Sequence, residues 1–241
     1  MSALLFRVLL ALMTTPAFAQ DSTAERRAGM VAEIAAMARD TGGETGRPKF
    51  GDAVMAAMGR VPRHRFVASF QEAFAYDNRP LPIGDGQTIS QPYIVALMTD
   101  LLDPQPGHVV LEVGTGSGYQ AAVLAELVSK VYTVEIVEPL GRRAARLLPE
   151  LGYRNIATRI GDGYHGWPEA APFDSIIVTA AAAEIPKPLI DQLKPGGRMV
   201  IPVGGRFDLQ ELMVIEKHAD GRTTTRRALP VRFVPLTRIP K

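Results

Sequence analysis

The chain contains no cysteine. That absence excludes disulfides, zinc–thiolate sites, iron–sulfur clusters and a thiol nucleophile. A charge excess is lacking too: 27 lysines and arginines stand against 25 acids in 241 residues. No field of one sign therefore favours nucleic acid or an anionic surface, and nucleic acid is not an expected partner. The four histidines, His64, His108, His165 and His218, show no metal-ligand spacing, so no metal is expected. No apolar run reaches the roughly 20 residues that span a bilayer, and stable membrane association is not expected.

What is present suits a globular chain. At 46% hydrophobic content the length allows one large domain, or a domain with a small extension, and the even charge is compatible with a monomer. Residues 1–19 read as an export signal: Arg7 closes a short charged region, Val8 to Met13 are apolar, and Ala17-Phe18-Ala19 before Gln20 fits small-x-small cleavage. Cleavage there places the mature protein in the periplasm. A buried N-terminal helix is the alternative, although Thr14-Thr15-Pro16 would break it.

Residues 20–105 read as a helical cap followed by a loop. Met30, Ile34 and Met37 form one apolar stripe over 24–39, a break spans 41–48, and a second helix covers about 51–58. The segment 77–86 is crowded with turn formers and is expected to hold little regular structure. Pro92 suits the first turn of a helix that runs to Leu102. Ser90, at its entrance, has the position of a helix cap.

Residues 106–241 alternate strands and helices. Strands are expected at 108–113, 131–136, 155–160, 173–179 and 198–203, and helices at 118–128, 139–148 and 188–193, the last ended by Pro195-Gly196-Gly197. The short link between 198–203 and 211–217 permits antiparallel pairing, and 222–234 supplies the last strand material. The fold class is therefore α/β: a doubly wound, mostly parallel sheet with an antiparallel C-terminal strand and an N-terminal helical cap.

A glycine turn follows the first strand of this sheet. A dinucleotide turn has the spacing G-x-G-x-x-G, but here Gly114-Thr115-Gly116-Ser117-Gly118 is one residue tighter, with Glu112 two positions before it. This is similar to the turn of S-adenosylmethionine-dependent methyltransferases, which implies S-adenosyl-L-methionine as cofactor. Glu135, ending the second strand, can accept both ribose hydroxyls, and Asp162, in Gly161-Asp162-Gly163 after the third, can accept from an adenine amino group. All lie at carboxyl ends of strands, where open α/β sheets bind ligands.

Further motifs carry a narrower resemblance. Val61-Pro62-Arg63-His64-Arg65-Phe66-Val67, Leu81-Pro82-Ile83-Gly84, Gly86-Gln87-Thr88-Ile89-Ser90-Gln91-Pro92, 112–120, 173–180 and Leu193-Lys194-Pro195-Gly196-Gly197-Arg198 together resemble the protein-L-isoaspartate O-methyltransferase family over about 51–237. The resemblance implies methyl esterification of the free α-carboxylate of L-isoaspartyl residues in damaged proteins and peptides. The ester recloses to a succinimide, which partly hydrolyses to normal aspartate. It further implies Ser90 as the active-site residue, Thr88 and Ile89 beside the cofactor's methionine end, and Glu112, Gly114, Thr115, Gly116, Gly118 and Gly163 as cofactor-binding residues. A C-terminal arm, 234–237, would fold over the site with Thr237 as a contact, and 180–186 would border the peptide groove.

The leader departs from this pattern, because usual members lack one and work in the cytoplasm, which is the alternative location. Two other functions stay open at this level: a methyltransferase for another carboxylate or small molecule, and an exported cofactor-binding module without catalysis.

Overall fold

The computed structural model describes residues 21–205 and 209–238. The expected leader lies outside the described residues. The chain begins with helix α1 (Asp21–Asp40), whose stripe buries Met30, Ile34 and Ala38. It packs on α3 (Asp52–Arg60), which follows the short α2 (Gly42–Thr45), and on a later helix, α4. Two 3₁₀ turns, Arg63–Phe66 and Ser69–Phe74, continue the cap.

Residues 81–89 correct the expectation of an irregular loop. Strands β1 (Leu81–Gly84) and β2 (Gln87–Ile89) pair as an antiparallel hairpin. The connecting Asp85 and Gly86 both have left-handed backbones, φ 52° and 71°, which is what a two-residue hairpin of matching twist requires. The turn formers therefore make a strand pair possible here. Helix α4 (Pro92–Leu102) starts on its proline and buries every residue except the partly exposed Ile94.

The sheet follows in chain order as β3 (Val109–Val113), α5 (Tyr119–Ala125), β4 (Lys130–Glu135), α6 (Glu138–Glu150), β5 (Ile156–Ile160), β6 (Phe173–Val178), α7 (Lys187–Asp191), β7 (Leu193–Val203), β8 (Gln210–Lys217) and β9 (Thr223–Val231). Its spatial order is β5-β4-β3-β6-β7-β8-β9, parallel from β5 to β7 and antiparallel beyond. The antiparallel edge thus contains two strands, β8 and β9. Pro195-Gly196-Gly197, expected to end a helix, lies inside β7, where a register irregularity opposite Phe173 and Ser175 absorbs the extra residues.

Adjacent strand residues serve opposite faces. Val110 joins the core cluster shared with α1, α3, α4, α5 and α6, while Leu111 joins the cluster that includes Leu189 of α7. Trp167 packs edge-on against Tyr132, ring centroids 5.0 Å apart. From β3 the chain winds outward through β4 and β5, then returns to place β6 on β3's other side. That reversal opens a crevice at the carboxyl end of β3. Among the described residues, no helix is long and apolar enough to cross a membrane, and no group of His, Asp and Glu could hold a metal ion.

Candidate active site

The glycine turn leaves β3 into this crevice. Gly114, Gly116 and Gly118 have φ of 101°, 53° and 90°, conformations that side chains resist. The turn is bonded inward: Gly114 N and Thr115 N donate to Val134 O at 2.8 and 3.3 Å, and Gly118 N donates to Thr115 O at 2.8 Å. Thr179, just past β6, donates its hydroxyl to Gly114 O at 2.7 Å, and a Cβ on Gly114 would collide with that hydroxyl. Gly118 serves helix packing instead. Its added Cβ would meet Leu148 of α6 at 3.2 Å, and Gly118 does not line the cleft.

The three acids occupy different depths. Glu112 is fully buried under the turn, where Thr133 Oγ1 donates to its Oε2 at 2.5 Å and Thr115 Oγ1 lies 2.6 Å from Thr133 Oγ1. Its Oε1 has no hydrogen-bond partner. Burial pushes the Glu112 carboxyl up to about 8, against the Thr133 hydrogen bond and with help from the nearby Glu135 charge. Glu112 does not reach the cleft surface.

Glu135 does line the cleft, and its two oxygens accept Gly116 N at 2.7 Å and Val137 N at 2.8 Å. One carboxylate thereby ties the end of β4 to the turn after β3. Asp162 stands outside the lining, although its neighbour Gly163 belongs to it. Asp162 accepts Tyr164 N at 3.0 Å and Arg238 Nε at 2.9 Å.

A second wall comes from Gln87, Thr88, Ile89 and Ser90 at the end of the hairpin. The capping role open to Ser90 is not the one it takes. Gln91 occupies the N-cap position of α4 and makes no side-chain cap bond, and the free Tyr93 N is met by Asn78 Oδ1 at 3.0 Å. Among the described residues no hydrogen-bond partner holds the Ser90 hydroxyl. Ser90 borders the cleft.

The C-terminal segment supplies another wall. Ala181 N donates to Val234 O and Leu236 N to Ala181 O, each at 2.8 Å, so residues 234–236 lie as a short added strand beside the loop after β6. Val234, Pro235, Leu236 and Thr237 line the cleft, and Arg238 anchors the segment to Asp162 while covering the Tyr164 ring at 3.5 Å. Counting the open solvent at its mouth, the cleft encloses about 770 Å³.

The family model described as protein-L-isoaspartate(D-aspartate) O-methyltransferase matches residues 46–240. The chain belongs to this family. A protein-L-isoaspartate O-methyltransferase 2 of Polaromonas sp. strain JS666 is 64% identical over 208 residues, covering 86% of this chain and 99% of that one. A protein-L-isoaspartate O-methyltransferase 1 of Cupriavidus necator is 60% identical over 229 residues, covering 95% and 88%. A solved protein-L-isoaspartate O-methyltransferase shares 29% identity at TM-score 0.74, covering 85% of this chain and 65% of that one. A Plasmodium falciparum structure, described as a complex of a putative member with S-adenosyl-L-homocysteine, has TM-score 0.73 at 24% identity, over 88% and 98% of the two chains, and is a likeness of fold.

Every site residue expected from the sequence of this isoaspartyl methyltransferase family member falls within the matched span. The crevice gathers Thr88, Ile89, Ser90, Gly114, Thr115, Gly116, Glu135, Gly163 and Thr237, and leaves Glu112, Gly118 and Asp162 behind its surface. Sequence reasoning missed Thr179 and Asn78. Thr179 follows a buried strand and had only its position at a strand's carboxyl end to mark it. Asn78 acts across 15 residues, and no local pattern marks such a cap.

Proposed function

We infer that the protein is an S-adenosylmethionine-dependent methyltransferase that esterifies the free α-carboxylate of L-isoaspartyl residues in damaged proteins and peptides, the first step of their repair. The observation that carries this reading is the family match across 46–240. It is supported by a serine hydroxyl with no hydrogen-bond partner among the described residues, on the cleft that the glycine turn and Glu135 also line.

The lining fits the cofactor. The left-handed Gly116 lets backbone form the wall, Glu135 would offer a carboxylate to ribose hydroxyls, and Thr88, Ile89, Thr115, Gly163 and Thr237 would complete the enclosure. In our reading Glu112, Gly118 and Asp162 act from behind: Glu112 braces Thr133 and Thr115, Gly118 seats α6, and Asp162 anchors the arm through Arg238.

S-adenosylmethionine, when bound, supplies a methyl group already activated by its sulfonium. The protein then needs no general base, since a carboxylate with a pKa near ~4 is ionised at pH 7. Ser90 donates its hydroxyl to the substrate carboxylate and fixes its direction. The 234–237 segment, which lines the cleft, would help keep water from the nucleophile. Alignment of this kind can lower a barrier by about 7–11 kcal/mol.

The test is transfer of labelled methyl from S-adenosylmethionine to paired peptides that differ only in carrying isoaspartate or aspartate. Base-labile label on the isoaspartyl peptide alone is expected, and equal labelling, or none, contradicts the assignment. We also propose that 1–19 is an export signal and that the mature protein is a periplasmic monomer. Mass analysis of fractionated cells should find a Gln20 start, and light scattering should give one chain's mass; an intact Met1 in the cytosol or a dimer mass would overturn these two points.

A further inference from the structure

A second groove continues from the cleft. It shares Thr88, Ser90, Thr179 and Val234 with the cofactor-side cleft, so whatever occupies it lies next to the Ser90 hydroxyl. Including its mouth it holds about 1180 Å³. Its walls are mostly apolar, with Met37 from α1, Ile94 from α4, and Leu229 and Phe233 from the C-terminal strand region. Met37 and Thr41 lie before residue 46, where the family match begins, so part of this wall is built by a segment outside the matched span.

That segment is tied to the active-site wall. Asn78 Nδ2 reaches Met37 Sδ at 2.7 Å while Asn78 Oδ1 holds Tyr93 N, and Thr41 Oγ1 lies 2.5 Å from the Tyr93 hydroxyl. The groove therefore has a fixed shape on the α1 side.

Arg232 is the one side chain of full charge among the described residues that line it. No carboxylate pairs with Arg232 among the described residues. The neighbouring Phe233 backbone is held by the buried Gln210 side chain, which accepts Phe233 N at 2.6 Å and donates to Phe233 O at 3.1 Å. The result is a solvent-exposed cation beside an apolar trough that adjoins Ser90.

We propose that this groove seats the substrate residue flanking the isoaspartate, and that Arg232 selects a flanking acidic side chain over a basic one. The proposal rests on the isoaspartyl methyltransferase reading of the adjoining cleft. A glutamate suits both features: its methylenes lie on the apolar wall and its carboxylate meets the guanidinium. A lysine there meets like charge, which suppresses binding.

The experiment compares isoaspartyl peptides with Glu, Gln or Lys on each flank in turn, using the whole protein and its Arg232→Gln, Arg232→Glu and Arg232→Lys variants. On at least one flank the wild-type ratio of kcat/KM for Glu over Lys is expected at about 5-fold in low salt, as for a partly exposed ion pair. The ratio should approach one in Arg232→Gln, invert in Arg232→Glu and persist in Arg232→Lys. Equal wild-type kcat/KM for all flanks, or a ratio that survives Arg232→Gln, overturns the proposal. Methylation of no peptide at all, the Gln-flanked one included, would instead overturn the methyltransferase reading beneath it.

Discussion

On one wall of the cleft, Gly114 N, Thr115 N, Gly116 N and Gly118 N all donate to protein acceptors. On the other, the Ser90 hydroxyl has no partner among the described residues. The glycine turn is thus a finished piece of fold, shaped before any ligand arrives. The Ser90 segment is held from outside itself, by the hairpin turn at Asp85-Gly86 and by Asn78 on the first turn of α4. The difference separates what holds a cofactor, which is shape and backbone, from what handles a substrate, which is a polar group kept out of the fold's own bonding.

If the turn is a finished piece, filling it should damage the whole protein. Gly114→Val forces a β-branched residue to φ 101° and into the Thr179 hydroxyl. A loss of about 3–5 kcal/mol is expected, with Tm lowered by roughly 10 °C and S-adenosylmethionine binding lost in a calorimetric titration. Normal melting and binding would show that the turn is tolerant and the contrast false.

A smaller effect is expected where the second wall is held from outside. Asn78→Ala removes the acceptor of Tyr93 N, so stability should fall by about 1 kcal/mol in urea unfolding. An unchanged midpoint would mean that the hairpin alone supports Ser90.

The third expected change is one of pH dependence and concerns Glu112. Its folded pKa, about 8, exceeds the ordinary 4.5, so its protonated form's contribution is complete below pH 4.5. Between 4.5 and 8 the unfolded chain gives up that proton first, and the contribution is lost as pH rises toward the folded value. Glu112→Gln keeps a neutral side chain throughout, so its stability relative to wild type should rise between pH 5 and pH 8. A difference that stays constant with pH would show that Glu112 is ionised in the fold and charges the turn.

Legibility followed the range of the forces involved. The centre of the parallel sheet was readable because a run such as Val109–Val113 is short, apolar and closed by a glycine turn. The cofactor-side wall was readable because its spacing is local. The hairpin at 81–89 was hidden because the same Asp-Gly pair serves loops and strand pairs alike, and only pairing partners decide between them. Ser90 was open between cap and contact because Asn78, the residue that relieves it of capping, sits 15 positions from Tyr93. Glu112 was placed on the cofactor by its position two residues before the glycine turn, whereas the structure buries it with Thr133 of the neighbouring strand donating to it.

The central claim is that the two walls divide the labour, and Ser90→Ala tests it most directly when cofactor affinity and turnover are measured on the same preparation. The account predicts an S-adenosylmethionine Kd within about 2-fold of wild type and a kcat/KM for an isoaspartyl peptide lower by roughly 10–100-fold, the loss of one hydrogen bond to a charged group. An unchanged kcat/KM, or a fall matched by an equal loss of cofactor affinity, would contradict it.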